Sequence, residues 1–451
     1  MIRSNIEDDP DVRAALAWLG RASGDERAFQ ARLEAAQSAY RGFTASADHR
    51  GQDPAFGEFT ADVVAAFFAQ AKSLVGARRT YDFALASKTV PWVKQLGRHV
   101  ALLDRIDGAR GRAARMLSAA TVAPDSVMFE LVMASSYATE GLGVAFVEEA
   151  KGQARRPDLR LTIPDLPHPF FVECKRLDRG QYEPMERARH RMLFRDVARL
   201  IDARALSVHI DVTYKCELSA VPDNYLTEHL REALSSSIVT PGGYPWTDEF
   251  GYGEIRRANL AAVREDTRDT SLYFGTKLAR LLSGRVVRET SYHLAASADP
   301  DRRDPRYIDR IHYGSVVTWQ CISPRAIERK SRYVKCKLAE ADRQLQGHGP
   351  AMVHIATDAE LACASSDLRR ARNIEAIKSF EPRSTLVAIY VHYLVPRISE
   401  AHSWLLDETV DTFGLTTEPM EPTRIFPDAT LVDNDLPAWQ QPLAPPDPGL
   451  S

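Results

Sequence analysis

Apolar residues in the first quarter of the chain recur at intervals of three and four, as at Val12, Leu16 and Leu19, or Val63, Val64, Phe67 and Phe68. That spacing lines one side of a helix. Residues from Asp11 to about Arg115 are therefore predicted helical, with a Gly/Asp/Arg-rich loop from Phe43 to Gly57 and the helical period resuming at Lys94 to Leu103. A further helix should begin near Asp125, because Pro124 and Asp125 suit a helix start, and end before Gly141-Leu142-Gly143. The period then changes to two. Val144 to Glu149, Arg156 to Leu161 and Phe170 to Lys175 read as three strands, the last two separated by turn residues Pro164 to Pro169. A helix from Glu186 to about Ala203, apolar at Met192, Leu193, Val197, Leu200 and Ile201, and an alternating strand from Leu206 to Tyr214 follow. The order is helix, three strands, helix, strand.

Beyond Val221 the pattern is irregular and partly helical to about Arg306. Trp246 and Tyr252 lie near Arg256 and Arg257 there, a grouping that can stack on unpaired bases but more commonly packs internally. Order returns as a strand at Ser315 to Trp319, a helix at Arg325 to Leu345, a strand at Ala351 to Ala356, a helix at Ser365 to Ser379 and a strand at Thr385 to Val391. From Gly414 the chain is rich in proline and acids, which predicts an extended tail. The class is α/β, in five parts: a helical region at 1–120, a core at 121–220, an irregular insertion at 221–310, an α/β extension at 311–410 that lengthens or flanks the core sheet, and a tail at 411–451.

Composition adds little to this except through charge. The chain is 44% hydrophobic and 26% charged, enough for a sizeable core, with a net charge of −3. Between Ala150 and Lys215, however, there are fourteen Lys and Arg against nine Asp and Glu. A polyanion would be drawn to that region. The five cysteines, Cys174, Cys216, Cys321, Cys336 and Cys363, are scattered without metal-binding spacing, and no N-terminal signal pattern precedes them. A reducing cytoplasm is the expected compartment. No apolar run is long enough to span a bilayer, so no membrane partner is expected.

The chemistry concentrates in the strands. Side chains alternate across a strand, so Glu173 and Lys175 share a face with Phe171, while Asp158 shares one with Arg160 and Thr162 opposite Leu159 and Leu161. Two carboxylates and an amine can converge. Hard oxygen ligands beside a cation are what magnesium-dependent phosphodiester hydrolysis requires. Glu130 lies on an apolar helix face with Val127, Met133 and Ala134. A carboxylate there needs a partner, either the metal site or a basic residue.

This order of elements, with Glu130 on the first helix, Pro157-Asp158 on the second strand and Glu173-Cys174-Lys175 on the third, resembles the PD-(D/E)xK nuclease superfamily, the restriction-endonuclease-like fold. The likeness covers about ninety residues and lacks the Gln-x-x-x-Tyr motif of the RecB-like branch in the helix after Lys175. It implies that Asp158, Glu173 and the backbone carbonyl of Cys174 bind Mg²⁺, for which Mn²⁺ would substitute. It implies further that Lys175 orients or helps deprotonate the attacking water and stabilises phosphate charge, with Glu130 as an accessory acid. Arg187, Arg191 and Arg195 on the following helix would bind nucleic acid, DNA foremost, and the setting suggested is bacterial restriction or phage defence. The competing expectation is a nucleic-acid-binding or assembly protein that keeps the fold without turnover, its N-terminal helices contacting a partner protein.

Overall fold

The computed structural model describes residues 9–45, 59–76, 81, 83–118, 120–121, 123–148, 156–164, 166–177, 182–235, 243–268, 272–273, 275–285, 292–302, 307–359, 364–397, 405–414, 424–426 and 436–440. The helical region comprises α1 (Pro10–Ala22), α2 (Glu26–Ala45), α3 (Val63–Gly76), α4 (Phe83–Arg98), α5 (Val100–Leu103) and α6 (Ala109–Met116). Most of the expected loop between Phe43 and Gly57 lies outside the described residues. Asp9 caps α1 by accepting from Asp11 N and Val12 N at 3.1 and 3.2 Å, and Lys94 of α4 holds the same carboxylate at 2.5 Å. Where α4 crosses α1, a Cβ on Gly97 would stand 1.8 Å from Asp11 O, so only glycine permits that approach.

The next elements follow the predicted order closely: α7 (Pro124–Thr139), then β1 (Gly143–Phe146), β2 (Leu159–Thr162) and β3 (Phe170–Arg176) as an antiparallel meander. After β3 the chain departs from expectation. α8 (Tyr182–Arg204), β4 (Val208–Tyr214), α9 (Tyr225–Ser235), β5 (Tyr244–Thr247), β6 (Gly251–Arg257), α10 (Leu260–Asp266), β7 (Leu272–Tyr273), α11 (Thr276–Ser283), β8 (Tyr292–Pro300) and β9 (Tyr307–Cys321) build a second sheet. Its order is β5-β6-β4-β9-β7, with β8 paired to β9. The strand expected to complete the first sheet, Leu206 to Tyr214, is thus β4 of the second, pairing with β6 and β9. The described parts of 221–310, expected to be irregular and partly helical, carry helices and strands of this second sheet. Leu193, Val197 and Ile201 of α8 pack on Val208, Ile210, Val212 and Trp319 of this second sheet, which fixes α8 there.

The chain then returns through α12 (Pro324–Leu345) to β10 (Ala351–Asp358), α13 (Ala364–Lys378), β11 (Leu386–Arg397) and β12 (Leu405–Gly414). The first sheet has the order β1-β2-β3-β10-β11-β12, with β3, β10 and β11 parallel. A parallel strand covered on both faces reads as a continuous apolar run, and β10 is buried at Ala351 through Thr357. One face packs on α7 and the N-terminal helices, the other on α12. From β10 onward the C-terminal α/β stretch extends the first sheet, whereas its first expected strand, Ser315 to Trp319, lies in β9 of the second. The expected extended tail holds parts that pack as well: Ile425 and Phe426 join the first core, and Ala438 and Trp439 the core beneath α12. Large apolar residues among the prolines account for this, Trp439 also donating to Asp367 Oδ1 at 2.8 Å. The terminal stretch 441–451 is outside the described residues.

A row of buried polar groups ties these layers together. Tyr137 OH lies 2.6 Å from His354 Nε2, His354 Nδ1 lies 2.8 Å from His392 Nε2, and His392 Nδ1 lies 2.6 Å from Glu408 Oε1. Glu408 also accepts from Ile425 N at 3.1 Å and Phe426 N at 2.9 Å. With both imidazoles neutral and Glu408 ionised, every donor in the row meets an acceptor. Burial, and then His392, holds His354 well below the ordinary histidine range. The unfolded chain therefore takes up a proton that the folded chain refuses, so stability falls as pH drops through about 6.5. Glu408→Gln, which turns an amide toward a backbone N–H, should cost about 1–3 kcal/mol. Urea unfolding at neutral and mildly acidic pH checks both; a midpoint that moves with neither change contradicts the assignment.

Candidate active site

The site forms where β2 and β3 part. Regular pairing stops beside Pro157, at Leu159 opposite Val172. Asp158 still donates its own N–H to Val172 O at 3.0 Å. The next β3 amide on that edge, Cys174 N, has no β2 carbonyl and donates instead to Asp158 Oδ2 at 2.9 Å. A residue in a strand directs its N–H and C=O to the same edge, so the Cys174 carbonyl also faces the opening.

Strand alternation sets the remaining groups as predicted. Phe171 packs in the core beneath α12, and Glu173 and Lys175 stand on the same face. Lys175 Nζ lies 2.5 Å from Glu173 Oε1, 2.6 Å from Gln344 Oε1 and 3.7 Å from Glu340 Oε1. Val172 and Cys174 face the other way, toward α7. Burial, and then Asp158, pushes the Cys174 thiol well up, so it is a core residue and not a nucleophile.

Arg112 of α6 is the residue that sequence reasoning missed. Its side chain is 8% exposed; Nη2 lies 2.5 Å from Asp158 Oδ1, and Nε closes on Glu130 Oε2. Glu130 thus meets a basic residue, the second of the two partners expected for a carboxylate on that apolar face, and reaches Asp158 through it. The signal was present. Arg112 lies on the helix side that carries Ala109, Ala113 and Met116, all buried, as Glu130 lies among Val127, Met133 and Ala134. Gln344 and Glu340 gave no comparable signal, since only the fold brings α12 to Lys175.

Arg187, Arg191 and Arg195 are on α8, which packs on the second sheet; Arg191 and Arg195 are exposed and Arg187 half-buried. The helix that stands over Lys175 is α12. Trp246 is buried and stacked on His229, with ring centroids 4.6 Å apart, so it offers no platform for a base. Tyr252 is exposed, beneath Lys215.

Electrostatics divide the acids. Burial, reinforced by Asp158 and opposed by Lys175, holds the Glu173 carboxyl well above the carboxylate range. Burial pulls Lys175 down, but Glu173, Asp158 and Glu340 together outweigh it and hold the ammonium above its usual value. Lys175 therefore stays protonated. Glu173 Oε2 is buried and takes no hydrogen bond, and such an oxygen is costly unless a cation or a proton meets it. Among the described residues no three His, Cys, Asp or Glu side chains gather as a ligand set. The donors at hand are two carboxylates and a carbonyl, which suits a hard ion that keeps several waters, as Mg²⁺ does.

A consequence for stability follows from Glu173. Because its folded value is raised, the folded chain holds a proton that the unfolded chain has lost, and stability falls as pH rises from the ordinary carboxylate range toward the folded value. Glu173→Gln removes this penalty, so the chelator-treated variant should melt above wild type at neutral and alkaline pH, the gap closing in acid. Thermal unfolding across pH measures it; a variant less stable at every pH contradicts the reading.

No family model, curated protein or solved structure matches this chain, so the site stands on its own geometry.

Proposed function

We propose that this chain is a divalent-metal-dependent nuclease that hydrolyses phosphodiester bonds in DNA. The observation that carries the reading is the buried, unpartnered Glu173 Oε2 next to Asp158, with a charged Lys175 on the same face. Asp158, Glu173 and the Cys174 carbonyl would hold Mg²⁺, with Mn²⁺ as its substitute. When bound, the ion lowers the pKa of its water and offsets charge on the phosphate. Lys175, kept protonated, cannot take a proton from that water. Its work is to present a fixed positive charge to the phosphate, held in place by Glu173 and Gln344.

The second expectation, a fold retained without turnover, draws support from one feature: Arg112 already neutralises Asp158. Cleavage separates the two readings. Arg191 and Arg195 on α8 would supply non-specific contacts to the phosphate backbone. A restriction or phage-defence setting in the cytoplasm fits such an activity, with the N-terminal helices as the surface for a partner protein.

Purified protein should nick or cut plasmid DNA with Mg²⁺ or Mn²⁺ and not with EDTA. Asp158→Ala and Glu173→Ala should lose metal binding and cleavage together, because each removes an anionic oxygen ligand. Lys175→Ala should lose about 10²-fold or more in cleavage while still binding Mn²⁺. Gel assays and calorimetric titration on the same preparations decide it: undiminished cleavage by Lys175→Ala would mean that the chemistry lies elsewhere.

A further inference from the structure

Asp158 has two oxygens and both are taken. Oδ2 receives Cys174 N, a bond on which the parting of β2 and β3 depends, so it is not free to move. Oδ1 receives Arg112 Nη2. Any ion shared between Asp158 and Glu173 therefore meets the guanidinium first. We propose that Arg112 is an internal cation that competes with the divalent ion for Asp158 Oδ1 and must turn away before the ion can bind. The proposal rests on the metal-dependent reading above and adds a specific barrier to it.

Three features support the competition. The first is charge. Three carboxyl groups, Glu130, Asp158 and Glu173, are gathered around the two cations Arg112 and Lys175, and Arg112 is the one that sits on Asp158. A divalent ion added to Asp158 beside Arg112 would crowd two cations onto one carboxylate, whereas an ion that takes Oδ1 after Arg112 has turned to Glu130 leaves each cation an acid of its own. Two cations held near one carboxylate in a low-dielectric site repel strongly.

The second feature is mechanical. The backbone carrying Arg112 is pinned: Asp107 bridges to Ala145, Phe146 N donates to Asp107 O at 2.9 Å, and Gly108 enters α6 with φ of 81°. A Cβ on Gly108 would meet Phe146 Cβ at 2.8 Å, so the glycine lets α6 start against β1. Only the side chain can move. The third feature is somewhere for it to go, since the guanidinium carbon already lies 5.6 Å from the centroid of the Phe146 ring. An arginine can stay on an aromatic face after losing a carboxylate.

Glu130 completes the device. It holds Arg112 by Nε while Asp158 is given up, so the guanidinium pivots between two acids instead of entering solvent. Its place in the reaction is then to hold the displaced cation, distinct from the accessory-acid role implied by the family likeness.

The test is Mn²⁺ binding alone, by calorimetry at neutral pH without nucleic acid, on full-length wild type, Arg112→Gln, Glu130→Gln and the double variant Arg112→Gln/Glu130→Gln. Arg112→Gln should bind Mn²⁺ at least about tenfold more tightly than wild type. Glu130→Gln, which leaves Arg112 wholly to Asp158, should bind more weakly than wild type. The double variant removes a cation and an anion together, so it serves if Arg112→Gln fails to fold, and it should bind more tightly than Glu130→Gln. If folded Arg112 variants bind no better than their Arg112 parents while wild type binds Mn²⁺, Arg112 only braces the fold and the competition is overturned. If neither wild type nor any folded variant binds Mn²⁺, the metal-dependent reading itself fails, and the proposal with it.

Discussion

The hydrogen bond from Cys174 N to Asp158 Oδ2 is the constraint on which the site depends. A backbone N–H in a central strand has to be satisfied, and here a side chain satisfies it in place of the neighbouring strand. That substitution opens β2 from β3 and directs the Cys174 carbonyl into the gap. It also leaves Asp158 a single oxygen for any other partner. Arg112 takes that oxygen and joins it to Glu130, while Lys175 is held by Glu173.

Placement of this gap within the whole molecule is a matter of topology. Chain leaves the site just after Lys175, builds the second sheet, and returns by α12, which sets Gln344 and Glu340 over the same lysine. The two connections bring the second sheet into the molecule next to the candidate chemistry, with Arg329 of α12 bonded to Glu217 at 3.1 Å and stacked on Tyr182. The C-terminal residues serve the opposite edge, where Glu408 binds the backbone at Ile425 and Phe426 and anchors the row of histidines behind the sheet.

What the sequence made legible was local. Period-two alternation was enough to put Glu173 and Lys175 on one face of their strand and Asp158 opposite Leu159 and Leu161 on its own, and an acid on an apolar helix face was enough to mark Glu130. Partners remote in the chain were not legible. α8 and α12 both carry several arginines and are each followed by a mostly buried strand, so nothing local decided which of them covers β3. The parallel pairing of β3 with β10 decides it, and that pairing joins residues separated by the entire second sheet. Arg112 was hidden for a different reason: an arginine among alanines reads as a solvated face unless the small residues are recognised as the buried side.

The most direct test of the central claim is a crystal of the wild-type chain soaked in Mn²⁺ and measured for anomalous scattering. The expected result is one peak in the gap between β2 and β3, about 2.0–2.3 Å from Asp158 Oδ1 and Glu173 Oε2, with the Arg112 side chain turned off Asp158. A fully loaded crystal with no peak there, and Arg112 still on Asp158, would contradict it.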